Sequence, residues 1–206
     1  MTAPRKRTGM SATDLMAELQ NDPEFQARKR ARDAVFQARA EALSKAEQPT
    51  VADLRAVGVD VDSVWDLVNT SVPYPAALPV LLDHLERGGY PDRVMESLGR
   101  ALAVKPSVEF WDRLKARWLG APRDSGEETG AALALAACAT RAQLDDLIAF
   151  LAVADRGESR IFFVRPVLRL GGDRGREVVE TLRDDTVVGR EATALLKRRK
   201  PLSHRP

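Results

Sequence analysis

The sequence holds a single cysteine, Cys138, in 206 residues. No disulfide can therefore form within the chain, and a thiolate metal cluster is excluded. Cys138 sits in the apolar run AALALAACAT, which reads as a helix with a buried, inert thiol rather than a nucleophile. Histidine is nearly as scarce, with His84 and His204 the two present. His84 has Asp83 and Glu86 nearby, but neighbouring helical positions point in different directions, so the three do not converge on a metal. No metal, no cofactor and no catalytic residue is expected, since Cys138 also lacks a sequence partner to act as base. No apolar run approaches the ~20 residues of a membrane span. The opening MTAPRKRTGMSATDL has basic residues without the apolar stretch of a secretory signal. The expectation is a cytoplasmic protein with no membrane partner. Alternating Val/Ile/Thr runs are missing too, so no strand is predicted. Without a strand there is no place for a phosphate loop, and Gly171, Gly172 and Gly175 read as a turn between helices.

What is present is helix-forming. Hydrophobic residues make up 44% and charged residues 30%, which suits a folded domain rather than a disordered chain. Ala, Leu, Arg and Glu dominate, and all four are good helix formers. The formal charge of +2 is too small for a bulk polyanion binder. The stretch from Tyr74 to Val104 organises the rest. Leu78, Leu81, Leu82 and Leu85 recur at i, i+3, i+4 and i+7, on one face of a helix. Gly88-Gly89 stops that helix, and Pro91 opens the next, with Val94, Leu98, Ala101 and Leu102 as its apolar face. One hairpin of this size cannot bury both faces, so it needs neighbours of the same kind.

The segment PDRVMESLGRAL, Pro91 to Leu102, resembles the first helix of a HEAT repeat. The pattern returns loosely as GESRIFFVRPVLRLGG (Gly157 to Gly172) and as DDTVVGREATALL (Asp184 to Leu196). The resemblance covers roughly residues 74–197, and the chain is similar to small bacterial HEAT-like proteins whose function is not established. It implies an all-α fold: a right-handed α-solenoid of HEAT-like helical hairpins with an N-terminal helical extension. It also implies a non-enzymatic scaffold or adaptor whose partner is another protein.

Four segments are expected: a disordered basic tail over 1–10, a helical extension over 11–49, the repeat domain over 50–198, and a basic tail over 199–206. Ser11 can cap a helix carrying Leu15, Met16 and Leu19, broken at Asn21-Asp22-Pro23. A second helix runs from Pro23 to Lys45 with a thin stripe of Phe25, Val35, Phe36 and Leu43, fit to lie on a surface or to pair. Arg28, Lys29, Arg30 and Arg32 make its early part basic, and Glu24, Asp33, Glu41 and Glu47 nearly balance the whole as on a solvated face. Gln48-Pro49-Thr50 should end this helix, with Thr50 capping the next. Ser107 should cap the helix that carries Trp111, Leu114 and Trp118, flanked by Phe110 and Leu119. The polar stretch 121–126 is the expected hinge. Thr140 with Gln143 has capping-box spacing, and Pro166 should bend its helix. About eight helices are expected from Pro75 onward, in a period of about 30 residues.

One constellation carries a sharper alternative. Trp111, Asp112, Arg113, Arg117 and Trp118 resemble in type the aromatic walls, acid and arginines of HEAT-like DNA glycosylases that remove alkylated bases. Against that, Leu114 shares the tryptophans' face, as in core packing, and Asp112 points about 100° away from Trp111. Asp112, Arg113 and Arg117 are therefore read first as candidate partner-binding residues. Nucleic acid is the alternative partner, through that route or through the basic ends: Arg5, Lys6 and Arg7 at one, and Lys197, Arg198, Arg199, Lys200 and Arg205 at the other.

Overall fold

The computed structural model describes residues 11–198. The expectations for the tails, 1–10 and 199–206, lie outside the described residues. The described chain is helical throughout, with no strand: α1 (Ala12–Asn21), α2 (Pro23–Ala56), α3 (Trp65–Val68), α4 (Ala77–Arg87), α5 (Asp92–Ala101), α6 (Trp111–Gly120), α7 (Gly126–Cys138), α8 (Leu144–Leu151), α9 (Ile161–Leu170), α10 (Gly172–Thr181) and α11 (Gly189–Arg198). Short 3-10 turns over Lys105–Phe110, Arg141–Gln143 and Ala154–Arg160 lead into α6, α8 and α9. The eight helices from α4 to α11 match the number expected after Pro75. Two compact units divide between Lys45 and Ala46.

In the first unit, Asp22 separates α1 from α2. Its Oδ1 accepts from the Glu24 N–H at 2.9 Å and the Phe25 N–H at 3.2 Å, and Pro23 follows where the missing N–H costs nothing. Leu15 and Met16 of α1 stay about half exposed, at 47% and 57%.

The second unit corrects three local expectations. Pro49 does not end α2, which continues to Ala56. The proline removes one N–H, the donor to the Lys45 carbonyl, but Glu47, Thr50, Val51 and Leu54 are buried along the same turns. Glu47 also accepts from the Ser63 hydroxyl and the Val64 N–H, both at 3.2 Å, so packing and hydrogen bonds carry the helix on past the proline. Thr50 and Ser107, expected as caps, have buried hydroxyls without a hydrogen-bond partner. Thr50 lies inside α2, and Ser107 lies inside the 3-10 turn before α6, so neither occupies a helix start.

The apolar faces sit where the spacing places them. Leu78, Leu81, Leu82 and Leu85 are buried, as are Val94, Leu98, Ala101 and Leu102. Gly88 and Gly89, at φ 65° and 80°, take the left-handed turn that a side chain would strain. Thr140 and Gln143 form the capping box. The helix of Phe163 and Val167 runs on through Pro166. Trp111 and Trp118 are both core residues, 7% and 0% exposed, while Leu119 is 42% exposed and lies outside that face. Trp118 meets Phe163 edge-on at 5.0 Å between ring centres and Phe150 at 4.7 Å, and Trp111 stacks on Phe150 at 6.1 Å. Large aromatic rings at these separations supply much of a core's burial energy.

Each helix packs on its successor in the pairs α4–α5, α6–α7, α8–α9 and α10–α11. Alternate helices also pack, α5 on α7, α7 on α9 and α9 on α11. The α5–α7 contact is the closest, because Gly99 and Gly130 bring backbone against backbone.

Candidate functional site

The helices α4, α6, α8 and α10 are joined differently, by charge. Arg113 on α6 reaches α4, donating from Nε to Glu86 Oε1 at 2.8 Å, and from Nη2 to Glu86 Oε2 at 2.5 Å and Asp83 Oδ1 at 2.9 Å. A guanidinium holding a carboxylate through two parallel bonds is the stronger form of ion pair, and the Arg113 bond draws the Glu86 carboxyl below its ordinary value. Lys115 on α6 reaches α8 in turn, pairing with Asp146 at 2.5 Å. The Trp111 indole N–H donates to the other Asp146 oxygen at 2.7 Å. Burial pushes the Asp146 carboxyl up, but the Lys115 and Trp111 bonds outweigh it and leave it below the ordinary range. Arg174 on α10 then pairs with Asp145 on α8 at 2.6 Å. The result is a charged row, α4–α6–α8–α10, with one ionic rung between each pair of neighbours.

The three residues expected to bind a partner all lie on α6. Asp112 and Arg113 are exposed and Arg117 is half-buried. Arg113 is committed to Glu86 and Asp83. Arg117 pairs with Glu127 of α7, and its Nε is buried without a partner. Asp112 forms no hydrogen bond or ion pair among the described residues, so its carboxylate is free to meet another molecule.

A second cluster escaped the sequence reading. His84, 1% exposed, is joined to Asp53 of α2 through Nε2 at 2.9 Å and to the Tyr90 hydroxyl through Nδ1 at 2.6 Å. A carboxylate can only accept, so Nε2 donates to Asp53, while Nδ1 meets the phenol oxygen, which can donate or accept. This phenol–imidazole–carboxylate chain ties the end of α2, the body of α4 and the loop before α5. Both ring nitrogens are engaged and the ring is covered, so the imidazole has no free nitrogen to offer a substrate. A cavity of about 280 Å³ opens beside it, lined by Asp53, Val57, Val80, Asp83 and Arg87. Asp53 lies 31 residues before His84, and no local spacing signals such a pair.

A third polar cluster is internal. The Trp118 indole N–H donates to Ser159 Oγ at 3.1 Å, and the Ser159 hydroxyl donates to Glu128 Oε1 at 2.7 Å. The other Glu128 oxygen accepts from the Asp124 N–H at 2.6 Å. Ser159 and Glu128 are 6% and 2% exposed, so the hydroxyl and carboxylate fasten α7 rather than face solvent. Ser125 and Glu128 have the Ser-x-x-Glu spacing of a helix start, a signal present in the sequence; Ser125 Oγ accepts from the Glu128 N–H at 3.1 Å. The stretch 121–126, expected as a hinge, is pinned by these bonds. It is held further by Arg156, which donates to the Ala121 and Trp118 carbonyls at 2.8 and 3.1 Å, and by the Gly126 N–H, which donates to Asp92 at 2.5 Å.

An opening of about 510 Å³ lies among Val57, Val61, Leu67, Val72 and Tyr74. Of the two carboxylates that line it, Asp60 and Asp66, the second is taken up by the N–H groups of Asp62 and Ser63, each at 3.0 Å. Among the described residues, no three His, Cys, Asp or Glu side chains converge as metal ligands would, and no helix is long and apolar enough to cross a membrane. No family model, curated protein or solved structure matches this chain.

Proposed function

We propose that this chain is a non-enzymatic binding scaffold of HEAT-like type, in which helical hairpins stack as a right-handed solenoid and one row of helices receives a protein partner. The observation that supports the reading is the division of labour between the two rows. Helices α5, α7, α9 and α11 pack one on the next, α5 against α7 by close backbone approach. Helices α4, α6, α8 and α10 are linked by charged side chains whose outer members stay exposed, among them Asp83 at 63%, Asp145 at 80% and Arg174 at 60%. Hairpins stacked in this alternating way are how repeat proteins build an extended binding surface. Rim charges of this kind set partner choice and orientation more than affinity. Asp112, exposed and unpaired on the second helix of the row, is the natural centre of that surface.

The test is a photo-crosslinking residue placed at position 112, with the same residue at exposed Arg190 on α11 as the control. The expected result is one discrete crosslinked protein from position 112 and none from 190, suppressed by excess unlabelled wild-type chain but not by the unlabelled Asp112→Lys chain. Equal or absent crosslinking from both positions removes the proposed surface.

A further inference from the structure

The basic helix of the first unit has no role in the scaffold reading. Residues 27–42 of α2 are all exposed, more than four turns with no buried side. Val35 and Phe36 are 68% and 61% exposed. Arg28, Lys29, Arg30 and Arg32 crowd into five positions. Arg28, Lys29, Arg30 and Arg39 form no ion pair among the described residues, and Arg32 approaches Asp33 at 3.7 Å with both side chains more than half exposed. Four cations at such density repel one another, and a helix with no packed side gains little from folding alone. Both costs are offset by a polyanionic partner.

The placement of the charges selects the partner. At roughly 100° per residue, Arg28, Arg32, Lys29 and Arg30 spread over about 200° of the helix circumference. A lipid surface or a protein groove touches one face of a helix and would leave Arg28 or Arg30 in water. The major groove of duplex DNA admits a helix and flanks it with a phosphate wall on each side. That groove is about 12 Å wide, and a helix with its side chains is about 10–12 Å across. Arg28 and Arg30, on nearly opposite flanks, then meet the two phosphate walls, while Lys29, Arg32 and Phe36 fall between them toward the base edges. Arginine and lysine there match guanine acceptors, and an exposed phenyl ring matches the thymine methyl. The alanines Ala27, Ala31, Ala34 and Ala38 occupy the opposite side, away from the groove. Asp33 is the one carboxylate on the cationic arc, and Arg32 lies beside it.

We infer that residues 25–43 of α2 bind double-stranded DNA by lying in its major groove, with Arg28 and Arg30 on the two phosphate walls. This inference does not rest on the proposed protein-binding row.

The experiment is fluorescence anisotropy of the full chain with a labelled 20-base-pair DNA duplex at 50 and 200 mM salt. Two phosphate contacts, from Arg28 and Arg30, predict that binding weakens by about tenfold over that range. The variant Arg28→Gln/Lys29→Gln/Arg30→Gln should lose at least about tenfold in affinity while its melting temperature holds, because all three side chains are exposed. Unlabelled duplex should compete far better than single-stranded DNA, polyglutamate or vesicles of anionic lipid. Absence of binding, wild-type affinity in the triple variant, or equal competition by any of those three overturns the inference. Polyglutamate as the best competitor would assign the helix to an acidic protein, and vesicles to a membrane surface. The salt slope and the competition are read on the wild-type chain, so they decide the matter even if the variant misfolds.

Discussion

A β-carbon built on Gly99 of α5 would lie 2.3 Å from the carbonyl carbon of Gly130 on α7. Both partners are backbone, so neither can swing aside as a side chain would. Gly99→Ala should therefore force the helices apart and destabilise by about 1–3 kcal/mol, the usual penalty of overpacking, despite the ~1 kcal/mol that alanine gains in helix propensity. Gly120 ends α6 with nothing within 4 Å of the same built atom, so Gly120→Ala should shift the urea midpoint the other way. Equal shifts in the two variants would contradict the close approach.

Trp118 and Asp112 lie on the same helix with opposite surroundings. Trp118 is fully buried against Phe150 and Phe163, so Trp118→Ala should cost ~3–5 kcal/mol. Asp112 is exposed, and Asp112→Asn should leave the urea midpoint within about 0.5 kcal/mol of wild type. A stable Trp118→Ala chain would mean that the ring is not core.

Acid should unfold the protein through its anchored carboxylates. Burial pushes the Asp185 carboxyl up, but the Val188 N–H, the Arg160 guanidinium and the Val187 N–H together bring it below its ordinary 3.8. Asp146 is likewise below 3.8, and Glu86 is below 4.5. Above those ordinary values the folded and unfolded chains are equally ionised at these groups, and the stabilisation is complete. As pH falls, the unfolded chain takes up protons first, and stability drains away until the folded groups also protonate. Urea midpoints should be flat from about pH 7 to 5 and drop below about pH 4. Asp185→Asn should be less stable at neutral pH and show a shallower acid drop, and an unchanged acid profile would exclude the Arg160 pair as a contributor.

Cys138 is fully buried, and burial pushes its thiol up to about 11. The thiolate is the reactive form. A disulfide reagent at about pH 8 should therefore leave the native thiol unmodified over the time in which it labels the urea-unfolded chain completely. Rapid labelling of the native protein would show that α7 opens locally.

The sequence by itself determined the elements and their buried faces. The leucines from Leu78 to Leu85, the Trp111–Leu114–Trp118 spacing, the Gly88-Gly89 turn and the Thr140–Gln143 box are all written within one or two turns of chain, where a helix's own geometry fixes which side chains meet. Tertiary structure decided what those elements touch. Pro49 reads locally as a stop, yet α2 passes through it because Glu47, Val51 and Leu54 are buried on either side. Arg113 reads as a free cation, and only the packing of α6 beside α4 gives it Glu86 and Asp83, 27 and 30 residues away. His84 reads as isolated until the chain brings Asp53 to one nitrogen and Tyr90 to the other. Backbone periodicity repeats every few residues, whereas these partners are chosen by how whole helices pack, and no local pattern carries that choice.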